Sequence, residues 1–305
     1  RVPWRVILSG VTIQVLLGVF LLCTPLGRTG YQKAGDGITF LVECSNFGSS
    51  FLFGEEAVRS CPALSFLPAI VFIGSLTAVL FYMGVLQWIV RIMAWIMSRL
   101  MDVSGTESLA ASANVFVGMT EAPLAIRPYL PTMTRSEIMA MMTSGMATIA
   151  GGVMAIYAGF LRDTGVNPGH LLAASLMSAP ASLVIAKLLV PETEVSQTKG
   201  IVKIDIRQDD VNALDAACRG AGEGLKLALN VGAMLVAFMA MIYLVNHLLA
   251  LCGHVGGEPL SMQRMLGWAF APLAWLMGIP WNEATTVGQF LGEKTVMNEF
   301  IAYLD

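Results

Sequence analysis

The residues with chemistry to offer are oxygen ligands set in apolar surroundings. Glu121 lies within the run Asn114-Val115-Phe116-Val117-Gly118-Met119-Thr120-Glu121-Ala122-Pro123-Leu124, after one Gly and before one Pro. In lipid a charge and a broken helix are both costly, and both persist where they line a cavity. The pattern predicts a re-entrant hairpin whose tip carries Glu121 and holds a polar solute at mid-membrane. Thr120 adds a hydroxyl, and the break adds free N–H groups. This set of donors and acceptors suits the hydroxyls of a sugar-like solute. The competing reading of Glu121 is a carboxylate that caps a helix or pairs with a buried Arg; the nearby Arg127 is expected at an interface instead.

Asn114, the Val117 carbonyl and the Thr148 hydroxyl form a second group of hard oxygen atoms. Such a group suits Na⁺ better than a transition metal, because no soft ligand takes part. Hydrogen bonding between helices by Asn and Thr accounts for the same residues equally well. Glu299, next to Asn298, is a second carboxylate in an apolar context. His170, His247 and His254 fall in or near turns or at a helix end and are expected to be solvated. The Met-rich stretch from Met133 to Met154 reads as core. No nucleophile–base pair, phosphate-binding glycine loop or His/Cys metal spacing appears, which argues against an enzyme.

These residues need a membrane to work in, and the composition supplies one. The 305 residues are 56% hydrophobic and 13% charged, with a mean hydropathy of +0.70. A soluble domain of this size needs far more charge to cover its surface. The net charge of −3 says little about partners, and no basic patch with interleaved aromatics points to nucleic acid. Cys23, Cys44, Cys61, Cys218 and Cys252 are scattered, with no CxxC spacing, so neither a disulfide framework nor a metal site is expected. The chain begins at Arg1 rather than Met and ends at Asp305 directly after a membrane-like motif, and is expected to be a piece cut at both ends.

Arg1, Trp4 and Arg5 precede an apolar span from Ile7 to Pro25, which should run from inside to outside. Gly30 to Ser60 is interrupted by small and polar residues and is expected to be an outer interfacial amphipathic segment. A span from Leu67 to Val90 returns inside, followed by an inner interfacial helix from Arg91 to Met101. Ser104-Gly105-Thr106-Glu107 is a capping-box pattern opening the hairpin. Met139 to Leu161 and Leu171 to Val190 are further spans, with Lys187 marking an inner end. Pro191 to Gly222 is expected to be a cytoplasmic loop, Leu225 to Leu251 a span, Gly253 to Gly257 a turn, and Leu260 to Met277 an outer interfacial segment.

The end of the chain echoes its centre. Glu107 and Glu121 are separated by 14 residues, and Glu283 and Glu299 by 16. Charge bias has the first unit entering from inside and the second from outside. That is an inverted-topology repeat, an architecture of alternating-access transporters with the site at the repeat interface. The expected fold is an all-α polytopic membrane protein: an inverted-repeat transporter with re-entrant helical hairpins and broken helices.

The run Phe116 to Leu124 followed by Arg127-Pro128-Tyr129-Leu130 resembles the concentrative nucleoside transporter family. So do Ala147 to Val153, Ser178-Ala179-Pro180, Lys187 with Pro191 to Glu194, Leu229 to Met234, Pro280 to Ala284, and Asn298-Glu299-Phe300. The likeness covers essentially the whole chain and is that of a bacterial-type member. It implies a Na⁺-coupled, in some members H⁺-coupled, nucleoside symporter of the inner or plasma membrane that forms a homotrimer and uses no organic cofactor. By position, Met119, Thr120, Glu121, Val153 and Glu299 would bind the nucleoside, Glu299 at the ribose hydroxyls. Asn114, the Val117 carbonyl, Thr148 and the Ile149 carbonyl would hold Na⁺. Many members have Gln where this chain has Met119, and a thioether has no amide with which to read a base edge. The family's first span and last broken helix would lie outside this chain.

The implied organisation is scaffold spans with an interfacial helix over residues 1–90 and the first transport-domain repeat over 91–190. A cytoplasmic loop over 191–222 follows, then a scaffold span over 223–252 and the start of the second repeat over 253–305. The rival readings are H⁺ coupling through Glu121 or Glu299, a nucleoside-binding channel or receptor that does not concentrate its solute, and a helical scaffold subunit.

Overall fold

The computed structural model describes residues 3–61, 63–119, 122–161, 164–198, 210–252, 254–255 and 258–304. In chain order the elements are α1 (Trp4–Cys23), α2 (Pro25–Phe53), α3 (Glu55–Ser60), α4 (Ala63–Tyr82), α5 (Val85–Met101), α6 (Gly105–Asn114) and α7 (Ala122–Ala125). After a 3-10 turn over Arg127–Thr132 come α8 (Arg135–Ala147), α9 (Gly151–Phe160), α10 (Gly169–Leu189) and α11 (Ala213–Cys252). A two-residue antiparallel pairing, β1 (His254–Val255) with β2 (Glu258–Pro259), leads to α12 (Met262–Leu276), α13 (Trp281–Val296) and α14 (Glu299–Leu304). Among the described residues, five stretches are long and apolar enough to cross a membrane: 4–23, 63–82, 135–160, 169–189 and 213–251.

Contacts divide the chain into two compact units, Arg1–Lys226 and Leu227–Asp305. In the first, α5, α6, α8 and α10 close around Met97, Met101, Ala111, Val115, Ala140, Ala179 and Leu183, with Val6 of α1 packed on them. Small residues set how closely these helices approach. A Cβ on Gly224, near the start of α11, would sit 2.8 Å from the Ile70 carbonyl of α4, and the Ser75 hydroxyl donates to the Ala217 carbonyl at 3.0 Å. In lipid such backbone contact and hydroxyl bonding hold helices together in place of hydrophobic burial. In the second unit α12 packs on α13, where a Cβ on Gly288 would lie 2.7 Å from the Gly267 carbonyl. There Asn246 of α11 donates to Gln263 at 2.9 Å and accepts from the Met262 N–H at 2.8 Å.

Two expectations are corrected, and Lys187 has a partner that its place at a helix end did not announce. The stretch read as an interrupted interfacial segment from Gly30 is one continuous 29-residue helix, α2, beginning at Pro25. Its Gly27, Gly35, Ser45 and Ser49 are buried, so the small residues that look like interruptions are packing positions. Only Gly54, with φ 85°, stops it. The helix after the soluble-looking stretch starts at Ala213 instead of Leu225 and runs 40 residues. Its start is fixed by Arg219, which donates to both Asp210 oxygens at 2.7 and 2.8 Å and to Glu223 at 3.0 Å. The Arg219 hydrogen bonds hold the Asp210 carboxyl below the usual carboxylate range. Lys187, read as an inner-end marker, is 4% exposed and paired with Glu107.

Candidate functional site

The hairpin begins as its sequence suggests. Ser104 accepts from the Glu107 N–H at 3.3 Å and the Glu107 carboxylate accepts from the Ser104 N–H at 3.0 Å, a complete capping box. From there α6 runs ten residues, every one buried, and stops at Asn114. The Ala113 carbonyl then accepts from the N–H groups of both Phe116 (3.0 Å) and Val117 (2.9 Å), which tightens the chain out of the α-helix. Gly118, at φ 95°, completes the break in a conformation that other residues rarely adopt. A second break faces it. α8 ends at Ala147, Thr148 and Ala150 are extended (ψ 151° and 142°), and α9 restarts at Gly151. The span expected from Met139 to Leu161 is therefore two half-helices.

The two breaks are pressed together. The Gly151 N–H donates to the Phe116 carbonyl at 3.0 Å. A Cβ on Gly151 would lie 2.7 Å from that same oxygen, and one on Gly118 would lie 2.7 Å from the Ala150 Cβ. Asn114, Val117, Thr148 and Ile149 are thereby gathered at one crossing. Val153, half-buried, lies on the first turn of α9.

Asn114 is 1% exposed. Its Nδ2 donates to the Ser144 hydroxyl at 2.9 Å, and that hydroxyl donates its own proton to the Met141 carbonyl at 3.0 Å. Since the Ser144 oxygen can only accept from Asn114, the amide must present its nitrogen there and turn Oδ1 away. Oδ1 is buried and has no hydrogen-bond partner among the described residues. The Thr148 hydroxyl donates to the Ser144 carbonyl at 2.9 Å, which leaves its oxygen lone pairs to accept. Ser175 of α10 accepts from the Ile149 N–H and donates to the Ile149 carbonyl, both at 3.3 Å, fixing that peptide. Sequence reasoning did not single out Ser144 as the residue that orients Asn114, nor Ser175; their contacts span 30 and 26 residues and leave no local signal.

Thr120 and Glu121 lie outside the described residues. Met119 is 60% exposed, and its Cβ would be 2.7 Å from a Cβ placed on Gly145. Glu299 opens α14 in the second unit and is exposed, with Asn298 Oδ1 accepting from the Phe300 N–H at 3.3 Å. The echo between the two hairpins is partial: α13 follows the N-cap Pro280 without a side-chain cap and is 16 residues long. His170 is exposed and rests against Tyr31, in keeping with a solvated residue.

Membrane carriers hold ions where helices are broken and backbone carbonyls are freed. Residues 170–305 match the family model of the C-terminus of Na⁺ dependent nucleoside transporters and residues 1–56 that of the N-terminus. Residues 63–164 match a nucleoside recognition gate. The chain is 42% identical over 304 residues to the uncharacterized transporter YutK of Bacillus subtilis, covering 98% of this chain and 74% of that one. The chain belongs to the Na⁺-dependent nucleoside transporter family. It is 40% identical to solute carrier family 28 member 3 of Homo sapiens, covering 99% of this chain and 44% of the human protein. The solved structure of CNTnw in an inward-facing substrate-bound state superposes with a TM-score of 0.90 at 41% identity, over 98% of this chain and 72% of that one. An outward-facing CNTnw variant gives the same score. This is a multi-pass plasma-membrane transporter chain and not an enzyme.

Within such a transporter the contact between the breaks can be tested directly. Gly151→Ala places a methyl against the Phe116 carbonyl and should lower solute uptake about tenfold or more by displacing the crossing. Uptake in proteoliposomes equal to that of the parent would show that the crossing tolerates the displacement.

Proposed function

We propose that this chain carries Na⁺-driven nucleoside symport by alternating access, with Asn114 Oδ1, the Val117 and Ile149 carbonyls and Thr148 Oγ1 as the Na⁺ ligands. The observation that carries this reading is the buried Asn114 Oδ1, turned away from the Ser144 hydroxyl and without a hydrogen-bond partner among the described residues. A buried acceptor without a partner costs about 1–3 kcal/mol, and a co-transported cation is the group that would satisfy it. All four proposed ligands are hard oxygens, as Na⁺ prefers. Met119, Thr120, Glu121, Val153 and Glu299 are the proposed nucleoside contacts, and the protein is proposed to work as a homotrimer without an organic cofactor.

The cycle follows from charge. A bare carboxylate at mid-membrane costs at least ~2.5 kcal/mol on insertion scales. Na⁺ at Asn114 and Thr148 would order the hairpin tip and offset the charge of Glu121. The ordered tip then presents Thr120 and Glu121 to the hydroxyls of the solute. The loaded, screened assembly crosses the barrier that the empty carboxylate would not.

The test is uptake of radiolabelled uridine and adenosine into proteoliposomes holding the full-length protein, under an imposed Na⁺ gradient or an imposed pH gradient. Concentrative uptake with Na⁺ alone is expected, and the uridine-to-adenosine ratio reports what Met119 does. Accumulation driven by pH alone would transfer the coupling to Glu121 or Glu299. No accumulation under either gradient would return the channel or receptor reading.

A further inference from the structure

The first unit holds a buried charge cluster that touches neither the proposed cation ligands nor the proposed nucleoside contacts. Lys187, near the end of α10, pairs with Glu107 of α6. Its Nζ also donates to the Ser136 hydroxyl at 2.8 Å and to Glu192 Oε2 at 3.3 Å. Glu192 in turn accepts from the Thr134 hydroxyl at 2.9 Å. Beside them Glu137 Oε1 accepts from Thr106 of α6 at 2.9 Å and from Ser196 at 2.6 Å. The segment 191–198 closes over the cluster, and its Thr198 carbonyl accepts from the Gly105 N–H at 2.9 Å. Three carboxylates and one ammonium are thus tied to the first turns of two helices.

Those two helices are built alike. α6 opens on the capping box Ser104/Glu107 and α8 on the capping box Thr134/Glu137. Each has a polar residue seven positions after its capping Glu, Asn114 on α6 and Ser144 on α8. Seven residues are nearly two full turns, so each pair shares a helix face with about 10.5 Å between its members. The helices are bonded at both levels: Thr106 to Glu137 at the start, Asn114 to Ser144 at the cation end. They therefore run parallel and in register. A slip of one residue would shift α8 by about 1.5 Å and turn its side chains by about 100°, carrying Thr148 and Ile149 away from Asn114. Setting register is the best-attested use of a buried ion pair.

We propose that Lys187, through Glu107 of α6 and Ser136 of α8 and beside the Thr106–Glu137 bond, is a positioning residue for Na⁺ binding. It holds α6 and α8 in register at their starts, and this fixes the cation ligands at their far ends. The proposal rests on the cation assignment above for its transport readout, so the test carries a second readout that does not.

The variants are Lys187→Met, Lys187→Arg and Thr106→Val in the full-length protein, reconstituted in proteoliposomes for uptake and in nanodiscs for hydrogen exchange. Thr106→Val keeps the side-chain shape and removes the hydroxyl that bonds Glu137 across the helices, together with its bonds to Ser104 and Thr198, so it carries the test if Lys187→Met does not fold. Lys187→Met and Thr106→Val should raise the Na⁺ concentration for half-maximal uptake about tenfold, the size of one lost charge-assisted bond. The nucleoside KM at saturating Na⁺ should stay within about twofold, because the nucleoside contacts are not displaced once Na⁺ has drawn the ends together. Lys187→Arg should recover most of the Na⁺ response. In exchange measurements without Na⁺, amides at 113–118 and 146–151 should lose protection in both variants, two turns away from the substitutions. Faster exchange confined to 104–108 and 135–138, or an unchanged Na⁺ requirement in a protein that takes up nucleoside with Na⁺, would overturn the proposal. If the parent shows no Na⁺ dependence, the cation assignment falls and the exchange pattern alone decides the register.

Discussion

Asn114→Ala should raise the Na⁺ requirement for nucleoside uptake by about tenfold to a hundredfold, the loss of one ion ligand at 1.5–3 kcal/mol. The substitution removes Oδ1, a side-chain acceptor of the crossing that is buried without a partner among the described residues. It also removes the donor to Ser144, but the Ser144 hydroxyl keeps its bond to the Met141 carbonyl, so α8 should keep its path. Ser144→Ala separates the two effects. It leaves Oδ1 in place and only frees the amide to turn, and should cost about threefold to tenfold. Na⁺ titration of labelled nucleoside uptake at a fixed nucleoside concentration ranks the two variants. An Asn114→Ala protein with the Na⁺ dependence of the parent would remove Asn114 from the cation site.

Glu107→Gln, at a residue 1% exposed, should destabilise the first unit strongly. Gln is a competent capping-box residue, so the start of α6 keeps its cap and only the charge is lost. Lys187, 4% exposed, then keeps Glu192 at 3.3 Å as its ionic partner, and that carboxylate is partly solvated. Breaking a buried pair on one side costs about 3–5 kcal/mol, and the remaining partner places this case near the lower figure. The double variant Glu107→Gln with Lys187→Met should be more stable than Glu107→Gln alone, because it removes the uncompensated ammonium. Thermal unfolding of the purified protein in detergent, followed by loss of the monodisperse peak, orders the three. A double variant no more stable than the single one would show that Lys187 is not left uncompensated.

What could be read from the sequence was local. The capping box at Ser104 and Glu107 involves four consecutive residues, and it formed as expected. The Gly118 break and the long apolar helices are likewise written in neighbouring residues, whereas the break around Thr148 falls inside what reads as one span. What could not be read depends on partners far along the chain. Gly27, Gly35, Ser45 and Ser49 look like helix breakers until other helices lie against α2, where small residues allow close approach. Lys187 looks like a positive charge at a membrane boundary, because nothing within ten residues announces Glu107. The direction of the Asn114 amide is set by the proton of Ser144, thirty residues on. The family resemblance supplied the pairing of the two breaks, but Ser144, Ser175 and Lys187 came only from the contacts themselves.

The segment 191–198 has a consequence for how the protein is made. Thr198 reaches back 92 residues to Thr106, so the start of α6 and its last hydrogen-bond partners emerge from the ribosome at different times. At synthesis rates of 5–20 residues per second the interval is roughly 5–20 s. Through that interval Glu107 and Glu137 have neither Lys187 nor Ser196, and in lipid both would be costly. The hairpin is therefore expected to keep this end hydrated until α10 and the closing segment have been made.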